Sequence, residues 1–126
     1  METNQDSFEK VIPTARMVAY RRTFSDIPYS LEIFEALEDI KKRNNYEEIP
    51  ADLKKPELAP QFEARHKLID KLIYQTHSKQ ILELASGFSS RGLSMSKEDN
   101  FNYVELDLPS VIKEKQQIIK GIAQEK

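Results

Sequence analysis

The residues best suited to chemistry lie close together in the second half of the chain. Gln80-Ile-Leu-Glu-Leu84 reads as a short strand that runs into Ala85-Ser-Gly-Phe-Ser-Ser90, a turn of small residues, with a helix starting near Arg91. Such a turn points backbone N–H groups at whatever lies above the strand's carboxyl end. Small side chains at 85, 86, 87, 89 and 90 let a ligand approach that backbone closely. Twenty residues after Gly87, a second apolar run ends in Asp107, whose carboxylate can accept both hydroxyls of a ribose. Open backbone at the end of one strand and an acid at the end of the next are the parts of a nucleoside site. The same residues also read as an ordinary strand-to-helix turn and, with Asp107 just ahead of Pro109, as a helix cap.

The turn has no Lys followed by Ser or Thr, which argues against a P-loop and nucleoside triphosphate hydrolysis. Ser86 and Ser89 stand where a dinucleotide site favours glycine, leaving little room for a pyrophosphate. A phosphate-free nucleoside fits better, and S-adenosylmethionine is the commonest cofactor of that kind. Other polar residues carry blander readings. Arg65 is equally a surface ion-pair partner. His66 and Asp70, four apart on a helix, read as polar side chains facing solvent. His77 reads as exposed, and Lys113 and Lys115 as a solvated helix face. Glu83 is unusual within a buried strand and reads as an acid that caps or hydrogen-bonds a neighbouring loop. Glu105 shares a face with Asp107 and reads as solvated or structural.

The elements that must position these residues follow from periodicity. Residues 1–12 read as a loose arm. Pro13 opens a helix through Arg22, and Asp26 is an expected N-cap with Pro28 just inside the next helix. Leu31, Phe34, Leu37 and Ile40 mark that helix's apolar face, and Lys41-Lys42-Arg43 closes it. Residues 46–60, with three of the six prolines, read as a connection without stable structure. A third helix spans about Gln61 to Thr76, with Phe62, Ile69, Leu72 and Ile73 as its buried stripe. A second strand covers Phe101–Leu106, and Pro109 opens a last helix with apolar positions at Val111, Ile112, Ile118, Ile119 and Ile122. The order is three helices, then strand, helix, strand, helix: an α/β chain ending in a βαβα unit.

Composition excludes several classes. The 126 residues suffice for one domain. An apolar share of 39% is too high for intrinsic disorder. Nineteen basic against 21 acidic residues give a net charge of −2, so no global basic field draws nucleic acid or an anionic membrane. There is no cysteine and there are only two histidines, which removes thiolate chemistry and leaves no metal site expected. No run approaches a membrane span, and the polar, acidic METNQDSFEK start is unlike a secretory signal, so the expected compartment is the cytoplasm.

Taken together, Gln80 to Gly92, Tyr103-Val-Glu-Leu-Asp-Leu-Pro109 and the basic helix with Lys113 and Lys115 resemble the leucine carboxyl methyltransferase family, which includes O-methyltransferases of polyketide biosynthesis. Ile12-Pro-Thr-Ala-Arg-Met-Val-Ala-Tyr-Arg-Arg22 with Ser25-Asp-Ile-Pro-Tyr29 resembles the family's N-terminal helical cap. Phe62-Glu-Ala-Arg65 with Ile69-Asp70 resembles the helix before its first strand. The resemblance covers about residues 11–119. It implies a class I S-adenosylmethionine-dependent methyltransferase with a helical cap region at 1–78, and at 79–126 the first βαβα part of a Rossmann-like sheet. It also implies that Ala85, Ser86 and Gly87 line the cofactor's methionine moiety, Asp107 holds the ribose, Leu108 lies against the adenine and Arg65 pairs with the cofactor's carboxylate. Ala85 stands where the family usually has Gly, and Ser89 where it often has Asp.

Family members are longer and carry a larger sheet, so the chain is expected to be the N-terminal part of such an enzyme. The expected activity is methyl transfer to an oxygen, a carboxylate included, of a small molecule or peptide, with no catalytic residue assigned. The apolar strand Ile81–Leu84 is expected to present an unpaired edge, open to the remaining strands or to an oligomer. The competing expectation is a remnant or helical interaction module without catalysis, docking through that edge.

Overall fold

A computed structural model describes residues 11–98 and 100–125. The expected arm at residues 1–12 falls almost wholly outside them. Helix α1, Val11–Arg22, starts two residues before Pro13 and ends on Arg21 and Arg22, cations at its negative dipole end. The Thr23 and Ser25 hydroxyls donate to the carbonyls of Tyr20 and Arg22, both at 2.6 Å, and close its last turn.

Helix α2, Ser30–Asn44, follows Tyr29, which takes a left-handed φ of 63°. The expected Asp26 cap does not form; the Asp26 carboxylate instead meets Lys67, 2.6 Å away. The apolar face also differs from expectation. A three-residue step lags a turn of 3.6 residues by about 60°, so Leu31 and Ile40 end on opposite sides. The buried line is Ile33, Leu37 and Lys41, spaced by four, while Leu31 is exposed. Lys41 lies in that line because its stem packs while its ammonium meets Glu38 at 2.8 Å and Glu48 at 2.6 Å.

Residues 46–60 are more ordered than expected: α3 spans Ala51–Lys54 and a 3₁₀ turn spans Pro56–Leu58. Their prolines punctuate elements, Pro50 before α3, Pro56 opening the 3₁₀ turn, and Pro60 in the first turn of α4, Ala59–Thr76. The Arg21 guanidinium reaches across to the carbonyls of Leu53 and Lys54 and ties this segment to α1. Ile69 and Leu72 were expected to be buried in α4; both are exposed, and the buried residues are Ala59 and His66.

Strand β1, Gln80–Leu84, and strand β2, Asn102–Leu106, form a two-stranded parallel sheet joined through α5, Arg91–Glu98. Helix α6, Pro109–Gln124, follows β2 with Pro109 in its first turn. The register pairs Leu82 with Val104 and Leu84 with Leu106, so these four share one face of the sheet. That face is uncovered, with the four residues 53–64% exposed. The opposite face carries Glu83, Tyr103 and Glu105 and lies against the helices. Gly92 of α5 passes so close that a Cβ there would sit 3.0 Å from Tyr103 and 3.1 Å from Glu105. The apolar core lies beside the sheet: Ala19, Ile33 and Leu37 meet Phe88, Val111, Ile118 and Ile122. Among the described residues no helix is long and apolar enough to cross a membrane.

Candidate functional site

The turn after β1 is built by two left-handed residues, Ala85 at φ 53° and Gly87 at φ 52°. The Ala85 N–H still bonds the Leu106 carbonyl at 2.8 Å, so the ladder holds to the strand's end before the chain turns. The turn is then fastened to the end of β2. The Gly87 N–H donates to Asp107 Oδ2 at 2.6 Å, and the Leu108 N–H donates to Asp107 Oδ1 at 2.7 Å. Asp107 therefore caps backbone donors, one of the two roles its position allows. A carboxylate offers about four lone-pair sites, so each oxygen keeps capacity for a further donor.

Above this junction lies a cavity of about 430 Å³, lined by the turn, Asp107, the Thr14–Arg22 side of α1 and the Phe62–Ile69 side of α4. This size falls within the range of small-ligand sites. Arg65, Ala85, Ser86, Gly87 and Asp107 all line it. Leu108 does not; it packs against the apolar core. Arg65 stands at the exposed rim with its guanidinium 6.0 Å from the Phe62 ring centroid.

The cavity wall contains an ion network that the sequence did not make plain. Arg91 donates from Nε to Asp70 at 2.5 Å, from Nη1 to Glu83 at 3.1 Å and from Nη2 to the His66 carbonyl at 3.3 Å. Burial works to lower the Arg91 pKa, but the Asp70 hydrogen bond and the Asp70 and Glu83 charges outweigh it and raise it. The second Glu83 oxygen accepts from the Tyr103 hydroxyl at 2.6 Å. Burial, and then that bond, hold the phenol above its ordinary pKa. Glu83 thus hydrogen-bonds a helix and a strand, Arg91 on α5 and Tyr103 on β2, and not the neighbouring loop that was expected.

His66 corrects the surface reading: it is 5% exposed, with Nε2 3.5 Å from Asp70 Oδ2. Desolvation, helped by the charges of Arg91, Arg22 and Lys67, pushes its pKa down to about 3. Lys115 is also not solvated. It is 2% exposed and donates to Glu105 at 2.5 Å beneath the sheet. Burial lowers the Lys115 pKa and raises that of Glu105, and their pairing opposes both shifts. The periodicity that places an apolar residue every three or four positions in α6 also places Lys115 on the inward side, which was the available signal.

Three buried side-chain atoms of cavity-lining residues have no hydrogen-bond partner among the described residues: Arg22 Nε, His66 Nδ1 and Ser86 Oγ. A ligand bringing both donors and acceptors would satisfy them. Among the described residues no cluster of His, Asp or Glu could hold a metal. The chemistry open to this arrangement is recognition of a polar organic ligand, with a diol at the Asp107 end.

In comparison with known proteins, the family model described as leucine carboxyl methyltransferase matches residues 5–126. No curated protein and no solved structure matches the chain.

Proposed function

The chain belongs to the leucine carboxyl methyltransferase family, and from that premise we propose that the cavity is its S-adenosylmethionine site. Members of the family are S-adenosylmethionine-dependent methyltransferases. The observation that carries the assignment is the junction at the ends of β1 and β2. There a left-handed turn with open backbone faces an acid that is fixed in place but not saturated. Asp107 would hold the ribose hydroxyls, the Ala85–Gly87 backbone would line the methionine moiety, and Arg65 would bring positive charge to the rim for the carboxylate. Leu108 packs against the apolar core instead, so the expected contact with the adenine is not carried over. Residues 79–126 would be the opening part of a Rossmann-like sheet, with the helices of residues 1–78 as its cap.

The cofactor supplies an electrophilic methyl group, and the chain's own residues bind, orient and exclude water. The acceptor would be an oxygen, in the first place a carboxylate, of a small molecule or peptide. A carboxylate is already nucleophilic, so transfer to it needs positioning and desolvation and no general base. That agrees with a cavity whose one histidine is held neutral.

The test is titration of the folded chain with S-adenosylmethionine and S-adenosylhomocysteine. Asp107→Asn keeps the side chain's shape but removes its charge. It is expected to weaken binding about tenfold or more while thermal unfolding stays cooperative. No binding by the folded wild type would overturn the assignment.

One observation favours a second reading, a binding module without catalysis: the uncovered face of Leu82, Leu84, Val104 and Leu106. Methyl transfer by the purified chain alone would exclude it.

A further inference from the structure

Two apolar surfaces stand uncovered among the described residues. One is the open face of the sheet, with Leu82, Leu84, Val104 and Leu106. The other runs along α4, where Leu68 and Leu72 lie one helical turn apart. All six side chains are more than half exposed. At about 100° per residue, Leu68 and Leu72 share a side of α4 with Ala64 and Gln75, also exposed, and the buried His66 lies opposite.

The two surfaces fit each other. A parallel sheet takes helices on both faces, and this one lacks a helix on its open face. Leu68 and Leu72 are about 6 Å apart along the helix axis, and alternate residues of a strand are about 6.6 Å apart. A helix laid along the strands therefore sets its two leucines against successive rows, Leu82 with Val104 and Leu84 with Leu106. Neither surface has a charge at its centre. The open face adds only Gln80 and Asn102 to its apolar residues. Arg65 and Lys71 border the α4 stripe, where their long stems can lie along a partner with the charge left in water. Within one chain the stripe and the open face cannot meet. Helix α4 sits on the covered side, where Arg91 joins the His66 carbonyl to Glu83.

Area selects the arrangement. Half-exposed side chains of this size bare about 100 Å² each, so the sheet face offers about 400 Å², enough to mark an associating surface. Two sheet faces laid on each other would hide about 800 Å², the size of an incidental packing contact. One α4 stripe on one sheet face hides about 600 Å², and the same contact made twice hides about 1,200 Å², where specific interfaces begin.

We propose that the chain forms a symmetric dimer in which α4 of each copy covers the open sheet face of the other through Leu68 and Leu72. A twofold axis makes the two contacts identical and closes the assembly at two copies. The dimer does not depend on what fills the cavity.

The experiment uses the full chain in sedimentation equilibrium. Wild type is expected as a reversible dimer of twice 14.7 kDa. Leu68→Gln combined with Leu72→Gln alters side chains that already face solvent, so the melting temperature is expected to hold while the dissociation constant rises about tenfold or more. The chain has no cysteine, so single cysteines map the contact. Leu72→Cys and Val104→Cys chains, mixed and treated with a short bismaleimide, are expected to cross-link to each other, and neither to itself. Val104→Cys chains that cross-link to themselves would put sheet against sheet, and Leu72→Cys chains that do so would put α4 against α4; either result overturns the proposal. So would a dimer that cross-links in no combination, a wild type that stays monomeric or grows past two copies, or an α4 double variant that dimerises as tightly as wild type.

Discussion

Ala85 takes a left-handed φ of 53° without being a glycine. That conformation costs an L-residue about 1–2 kcal/mol, and glycine's greater freedom when unfolded returns about half of it. Ala85→Gly is therefore expected to stabilise the chain by about 0.5–1 kcal/mol, read as a higher midpoint in urea. It also explains physically why the family usually has glycine there: the turn demands the conformation whichever residue fills it. His66 leads to a second expectation. Its folded pKa of about 3 lies below the ordinary value of 6.5, so below pH 6.5 the unfolded chain takes up a proton that the folded chain refuses. The stability held above pH 6.5 falls as pH drops towards 3, by up to about 1.4 kcal/mol per unit. Urea unfolding at pH 7 and pH 5 should show the loss, and His66→Leu should flatten the difference between them. An equal loss in the variant would place the titrating group elsewhere.

At the scale of elements, Gly92 sets the distance between α5 and β2. A Cβ there meets the Tyr103 ring, which cannot swing away without breaking its bond to Glu83. Alanine's helix preference gains about 1 kcal/mol, against an overpacking cost of about 1–3 kcal/mol. Gly92→Ala is expected to lower stability by up to about 2 kcal/mol, and combining it with Tyr103→Leu should recover part of that loss. Elements such as these were legible where the period was plain: β1, the start of α5, β2 to within a residue, and α6 with Pro109 in its first turn. The turn and Asp107 were legible as well, because small residues and a strand-end acid need only local chemistry to be seen. The inward Arg91, Lys115 and His66 were not, because a polar side chain is read as solvated by type even where, as for Lys115, the helical period places it inward. The two cations are carried inward by partners 8 to 21 residues away in sequence, Glu105 for Lys115, Asp70 and Glu83 for Arg91. Leu31, Ile69 and Leu72 were misplaced for the converse reason. An apolar residue is buried only if another element arrives to cover it.

At the scale of the whole molecule, the sheet is inverted relative to the usual alternation. Leu82, Leu84, Val104 and Leu106 are open, while Glu83 and Glu105 are covered. Parallel sheets are normally covered on both faces, and an apolar patch of this kind marks a surface that associates. The free chain is expected to bind an apolar dye and to self-associate with rising concentration. Replacing Leu82 and Val104, which pair across the strands, with lysine should suppress both without lowering the melting temperature. Retained dye binding in that double variant would place the associating surface elsewhere.

The strands that carry this open face also carry the site. Leu82 and Leu84 flank Glu83, which holds Arg91, and Leu106 precedes Asp107, which holds the turn. None of the four apolar residues lines the cavity. A layer laid on the sheet would thus leave the cavity's mouth open while restraining the backbone that aims its polar groups. Occupancy of the two surfaces is then linked, and the linkage must be reciprocal. Any partner that stiffens the strands raises ligand affinity by some factor, and the ligand raises the partner's affinity by the same factor.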